Sequence, residues 1–362
     1  MPGKKYYNPK GYEPDAHEPF EGPPPEAMDA YRKALAEQRA HRSAFTYEEA
    51  MGYRQRGESH ILGHYVYEMM YAGYYGMEDE LVAGSWDTHL HIYPDYVPRC
   101  IDMVDLAIKA SKEKMGGIVC KDHFFSNTTG AWGAQWVVDD LVRRGELDYA
   151  CKILGTNILA FSYHPDQVHL IRKYPNLGAV FFPTMTGGGP GRAGPLMPII
   201  DAKGKLMPEV KTCIDLCAKY KIPIMTGHRS WDERYAMARE AQEVGASMLL
   251  THGGGLHGIT TAQAVKLNTE ARKYGVFIEV NGNAMLPNMM WPQINPNDTL
   301  DFLKEMGPEN LIFGSDFGQL MSTDPIDTWK LLIRMMMFYG IPDKDIEMMI
   351  KTNPVKFLLL DE

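Results

Sequence analysis

After Gly84 the chain alternates short apolar runs with amphipathic stretches, the rhythm of βαβ units in a parallel sheet. Eight runs read as strands: SWDTHLHI, GGIVCKDH, KILGTNILAFS, GAVFFPT, IPIMTGH, SMLLTHG, VFIEVN and LIFGSD. Helices fit between them. SWDERYAMAREAQEVG opens with Ser230 and Glu233 in capping-box spacing and closes at Gly245, and TTAQAVKLNTEARKYG pairs Thr260 with Gln263 and closes at Gly275. Eight such units in about 280 residues predict an α/β fold of the (β/α)8 TIM-barrel type, whose strands close on themselves. A doubly wound open sheet is disfavoured, because no G-x-G-x-x-G follows the first strand and polar residues end many strands rather than lining one crevice.

Upstream the pattern differs. Residues 1–25 are rich in Pro, Gly and charge, which predicts an irregular arm. From Pro25 to Tyr75 apolar residues recur at spacings of three and four, which predicts helices. Residues 1–80 are thus read as an arm with a helical N-terminal extension, and residues 81–362 as the barrel that carries the chemistry.

Composition narrows the partners. The 362 residues are 45% hydrophobic and 23% charged, enough apolar material for a real core. A net charge of −9 offers no basic surface for nucleic acid. No run of 18 apolar residues spans a membrane and no apolar core follows the N-terminal lysines, so the expected location is cytoplasmic. The five cysteines fall at no zinc-ribbon or redox spacing, and Cys213 and Cys217, four apart on one helical face, are read as reduced core residues. The 24 Met and 20 Tyr, many near the N-terminal and last helices, point to subunit contacts and a homo-oligomer, although a single Met is more often core filler.

Candidate chemistry lies where the strands end, because the C-terminal ends of barrel strands converge on one pocket. Strand one ends in Asp87, His89 and His91, strand two in Lys121 and His123, strand five in His228, strand six in His252 and strand eight in Asp316. Alternate strand residues share a face, so His89 and His91 point into the mouth together while Leu90 packs outward. His89, His91, His228, His252 and Asp316 are the candidate metal ligands. Imidazole with carboxylate suits zinc first, with manganese, iron or cobalt as alternatives. Among candidate substrate contacts are His123, His257, the possible carboxylate clamps Arg192 and Arg229, and the aromatic walls Trp231 and Trp291. Taken singly, a strand-end histidine is more often a hydrogen-bonded structural residue than a ligand.

The segments DTHLH, TGH, LTHGGG and FGSD, in this order at these strand ends, resemble the amidohydrolase superfamily of metal-dependent hydrolases. The resemblance covers residues 84–362, and NPVKFLLL near the end is similar to the final helix of the branch holding lactonases and non-oxidative decarboxylases. It implies that His89, His91, His228 and Asp316 bind the metal and that His252 binds a second ion or contacts substrate. Strand four, ending FFPTMTGGG, lacks the lysine or glutamate that bridges two ions in binuclear members, so one ion is simpler than two. Lys121 reads equally as a solvated lysine or as a carbamate, a carboxylate-binding ammonium or a buried base.

The expected activity is hydrolysis of a small carbonyl substrate, an amide, lactone or ester, with Asp316 accepting a proton from a metal-activated water and His252 holding or protonating the substrate oxygen. Decarboxylation of a carboxylated ring or unsaturated acid is the alternative. A non-catalytic, metal-stabilised assembly subunit is the second.

Overall fold

The computed structural model describes residues 76–186, 197–254, 259–286, 296–320 and 323–360. The arm and the helices expected before residue 76 lie outside them. Eight parallel strands follow one another in chain order around a sheet: β1 (Trp86–His91), β2 (Gly117–Lys121), β3 (Lys152–Ile158), β4 (Leu177–Phe181), β5 (Ile224–Met225), β6 (Met248–Leu250), β7 (Phe277–Asn281) and β8 (Leu311–Gly314). All eight apolar runs are therefore strands. Helices alternate with them: α1 (Met103–Lys112), α2 (Thr128–Arg143), α3 (Pro165–Ile171), α4 (Pro208–Lys219), α5 (Trp231–Val244), α6 (Thr261–Arg272), α7 (Pro296–Met306) and α8 (Pro325–Phe338). This is the (β/α)8 TIM barrel.

The sheet closes where the candidate chemistry sits. Past the end of β8, Phe317 bridges Leu90 of β1; Asp316 N donates to His89 O at 2.8 Å and His91 N donates to Phe317 O at 2.8 Å. Asp87 adds a side-chain tie, its Oδ1 accepting from Ser315 N at 2.9 Å and His89 N at 3.1 Å. Burial pushes the Asp87 carboxyl up to about 7, against the hydrogen bonds from Ser315.

Side-chain alternation sorts each strand into two faces. Val119, Leu154, Phe181, Met225, Leu249 and Ile312 fill the barrel, whereas Cys120, Ile153, Val180, Ile224, Leu250 and Phe313 pack outward against the helices. Trp86 and Phe357, the latter from the closing helix Asn353–Phe357, belong to the same buried cluster, and Phe357 meets Phe277 edge-on at 5.9 Å. Burying a ring of that size contributes about 1.5–3 kcal/mol. Cys213 and Cys217 are buried in α4, as their spacing predicts.

The helix ends follow the sequence signals. Ser230 and Glu233 form the capping box of α5, and Gly245 ends that helix in the left-handed conformation at φ 71°. Thr260 and Gln263 cap α6 in the same way, but the helix stops at Arg272, and Gly275 makes the left-handed turn that follows.

Candidate metal centre

Two backbone features set the ends of β6 and β8 apart from ordinary strand ends. His252 and Asp316 both adopt left-handed conformations, at φ 54° and 55°. Such residues cost of order 1–3 kcal/mol and persist only where the surroundings hold them. Here His252 N donates to Glu279 Oε2 at 3.1 Å and Asp316 N to His89 O at 2.8 Å. Gly318 is required nearby: at φ 117° it lies so close to β1 that a Cβ would collide with the carbonyl oxygen of His91.

The imidazoles converge on Asp316. Its Oδ1 lies 3.0 Å from His91 Nε2 and 3.4 Å from His89 Nε2. Its Oδ2 accepts from Asn283 Nδ2 at 2.5 Å and lies 3.8 Å from His252 Nε2. His89, His91 and Asp316 each offer one donor atom, all within 4.8 Å of one another, and all three residues are buried. His228 enters by a different route, with its Nε2 3.1 Å from His252 Nε2. The structure thus brings His89, His91 and Asp316 together as a compact trio, with the pair of His252 and His228 beside it.

Protonation suits a cation. Burial drives His91 down to about 3, helped by the Arg99 guanidinium, and drives His252 down to about 4 against the pull of Asp316 and Glu279. Both imidazoles are neutral at pH 7, with lone pairs to give. Burial would raise the Asp316 carboxyl, yet the surrounding imidazoles outweigh it and hold the group well below the usual carboxylate range. Neutral nitrogen donors around a buried carboxylate are the ligand set of zinc and its neighbours.

The orientation of those imidazoles depends on residues that sequence reasoning missed. Glu279, fully buried on β7, accepts from His89 Nδ1 at 2.9 Å, which turns the Nε2 lone pair toward Asp316. Asn281, two residues on, faces His252 Nδ1 through its Oδ1 at 2.5 Å. Asp95, in the loop after β1, lies 3.5 Å from His91 Nδ1, faces His123 Nδ1 at 2.8 Å and pairs with Arg99 Nη2 at 2.6 Å. His91, Asp95 and His123 also bring one donor atom each within 4.8 Å of one another. The Arg99 guanidinium, 3.2 Å from His123 Nδ1, already puts a positive charge there. One signal was available for Glu279 and Asn281: they alternate with Ile278 and Val280, so they share the inward face of their strand.

The remaining candidates separate. Lys121 is not a solvated lysine: it is only 1% exposed, its Nζ lies 3.2 Å from His89 Nε2 and 4.6 Å from the centre of the Phe181 ring, and burial lowers it to about 8 against nearby carboxylates. His123 stacks on His91 with ring centres 4.7 Å apart. Arg229 is buried and donates to Met197 O, Glu233 Oε1 and Tyr163 Oη, so the proposed carboxylate clamp instead ties loops together. Trp231 begins α5, packs on Tyr235 and carries the Arg234 guanidinium over its ring at 4.8 Å, which makes it part of the helix layer. Arg192, His257 and Trp291 lie outside the described residues.

Fold and clustered strand-end side chains together define a (β/α)8 barrel with a candidate metal centre at the C-terminal ends of its strands. An amidohydrolase from Pseudomonas aeruginosa superposes with a TM-score of 0.52 at 14% identity, covering 77% of this chain and 97% of its own. The probable dipeptidase PvdM of the same organism gives 0.52 at 12% identity, over 78% and 97%. The chain belongs to the family of unknown function DUF6282, which matches residues 84–279, a stretch that holds His89, His91, Lys121, His228, His252 and Glu279. No curated protein sequence matches it significantly. Among the described residues, no helix is long and apolar enough to cross a membrane.

Proposed function

We propose that this protein is a metal-dependent hydrolase that uses an activated water to cleave a small carbonyl substrate, an amide, lactone or ester. The observation that carries the reading is the buried carboxylate of Asp316 held between His89 and His91 on one oxygen and facing His252 on the other. His89, His91 and Asp316 would hold the ion, with His228 and His252 at its edge; zinc fits this donor set best, and manganese, iron or cobalt fit it too. A divalent ion held there would lower the pKa of a water from about 15.7 towards 7 and would polarise a carbonyl.

The two oxygens of Asp316 divide the work. Oδ1, the oxygen nearest His89 and His91, would face the ion, while Oδ2, steadied by Asn283, would accept the water's proton and deliver it to the leaving group. With Asn281 Oδ1 beside its Nδ1, His252 turns Nε2 toward His228 and Asp316, where it would serve as ligand or hold or protonate the substrate oxygen. Glu279 fixes the tautomer of His89. Glu279→Gln is therefore expected to weaken metal affinity about 10- to 100-fold with the fold retained, read by chelator competition; unchanged affinity would remove Glu279 from the account.

Lys121 favours a second reading, non-oxidative decarboxylation, because its buried ammonium could hold a substrate carboxylate at the centre. Lys121→Met is expected to keep the metal and to raise KM for carboxylate-bearing substrates roughly 10- to 100-fold, the worth of a charged hydrogen bond. Loss of metal instead would make Lys121 part of the ion's own surroundings. The proposed function is tested with metal-loaded and chelator-treated protein on a panel of esters, lactones, N-acyl amino acids and aromatic acids, following acid release and CO₂ separately. Metal-dependent acid release without CO₂ supports hydrolysis, CO₂ release supports the second reading, and no turnover of any class by the loaded protein contradicts both.

A further inference from the structure

Four aromatic rings stand on three consecutive loops, at the C-terminal ends of β1, β2 and β3. Tyr96, Phe125 and Phe161 leave 63%, 68% and 60% of their surface open, while Phe124 among them is half-buried. Phe124 and Phe161 stack almost parallel, 5.5 Å apart at 11°, and Tyr96 meets Phe124 edge-on at 5.3 Å. Phe125 lies tilted to Phe124 at 6.4 Å. The backbone beneath is fixed, since Asp122 Oδ1 accepts from the amides of Phe124 at 2.7 Å and Phe125 at 2.8 Å.

This cluster adjoins the metal centre through the chain itself. Tyr96 follows Asp95 and Phe124 follows His123, the two residues that meet at 2.8 Å beside His91. Phe124 also packs on the apolar cluster filling the barrel, and Phe181 of that cluster lies 5.7 Å from the ring of His89. The open rings thus form an apolar wall joined, through the buried cluster beneath it, to the Phe181 side chain that lies against His89. Exposed apolar surface in one patch marks a binding site.

We propose that this wall receives a planar aromatic ring carried by the substrate, which narrows the substrate to aryl or arylalkyl carbonyl compounds. The inference rests on the reading of the His/Asp centre as the place where the reacting group lies. Size favours a small ring over a protein: three rings about 60% open present roughly 300–400 Å², below the roughly 800 Å² per partner of a stable interface. Offset-stacked and edge-on rings are also the arrangements that accept another ring.

The test is calorimetric titration of the full, metal-loaded chain with phenylacetate and with acetate, which share a carboxylate and differ by a ring. Phenylacetate is expected to bind at least about tenfold tighter, and Phe125→Ala and Phe161→Ala each to lose about 3- to 10-fold of phenylacetate affinity with acetate unchanged. Phe161→Leu, which keeps apolar volume without the ring, is expected to lose the same preference. Equal affinity for the two acids, no binding of either, or a preference that survives in Phe125→Ala/Phe161→Ala would overturn the proposal. So would a double variant that sediments as a smaller species with its preference intact, because the rings would then belong to a contact between copies. Binding is read without turnover, so a protein that prefers phenylacetate yet hydrolyses nothing would refute the hydrolase and leave the aromatic site standing.

Discussion

Asp316→Asn is expected to abolish turnover while the barrel stays folded. The substitution keeps shape but removes the negative charge that the neutral imidazoles of His91 and His252 face, and it removes the only carboxylate in the trio able to take a proton. Loss of general acid–base transfer alone costs about 10²–10⁴ in rate. Asn283 adds a geometric penalty, since its Nδ2 donates to Oδ2 at 2.5 Å and will favour the new amide's oxygen on that side, which turns the NH₂ toward His89 and His91. Rate should therefore fall with some loss of metal affinity, measured by steady-state kinetics at saturating metal and by circular dichroism. Activity within tenfold of the parent would rule out proton transfer by Asp316.

The second large effect is expected from His89→Ala combined with His91→Ala. Two of three donor atoms in the trio disappear, so the purified variant should hold no stoichiometric metal by elemental analysis. Stability should fall as well. Glu279 is fully buried and loses the donor to its Oε1 while keeping His252 N on Oε2, and leaving a buried charged acceptor short of one hydrogen bond costs about 1–3 kcal/mol. Adding Glu279→Gln to the double variant should restore part of that loss by replacing an under-bonded charge with a neutral amide. A variant that keeps its metal would place the ligands elsewhere.

Much of this was legible in the chain because periodicity and strand ends are local signals. Each of the eight apolar runs formed a strand, and the parity of D-T-H-L-H placed Leu90 outward and the two histidines inward. Other features depended on contacts between segments far apart in sequence, which local patterns do not encode. Asp95 sits in an irregular loop with no period to reveal that it reaches His91 and His123. Lys121 was ambiguous, because a strand-end lysine is equally plausible in water until Phe181 and His89 are seen around it. Arg229 looked available for a substrate and is engaged by Met197, Glu233 and Tyr163. Glu279 was legible in principle, as a lone acid at an inward position between Ile278 and Val280.

The account rests on a cation shared by distant strands. Its most direct test is anomalous diffraction from crystals of the zinc-loaded protein, collected on either side of the zinc edge. A peak about 2.0–2.2 Å from His89 Nε2, His91 Nε2 and an Asp316 oxygen is the predicted result. A peak between His91, Asp95 and His123, or none within reach of Asp316, would contradict it.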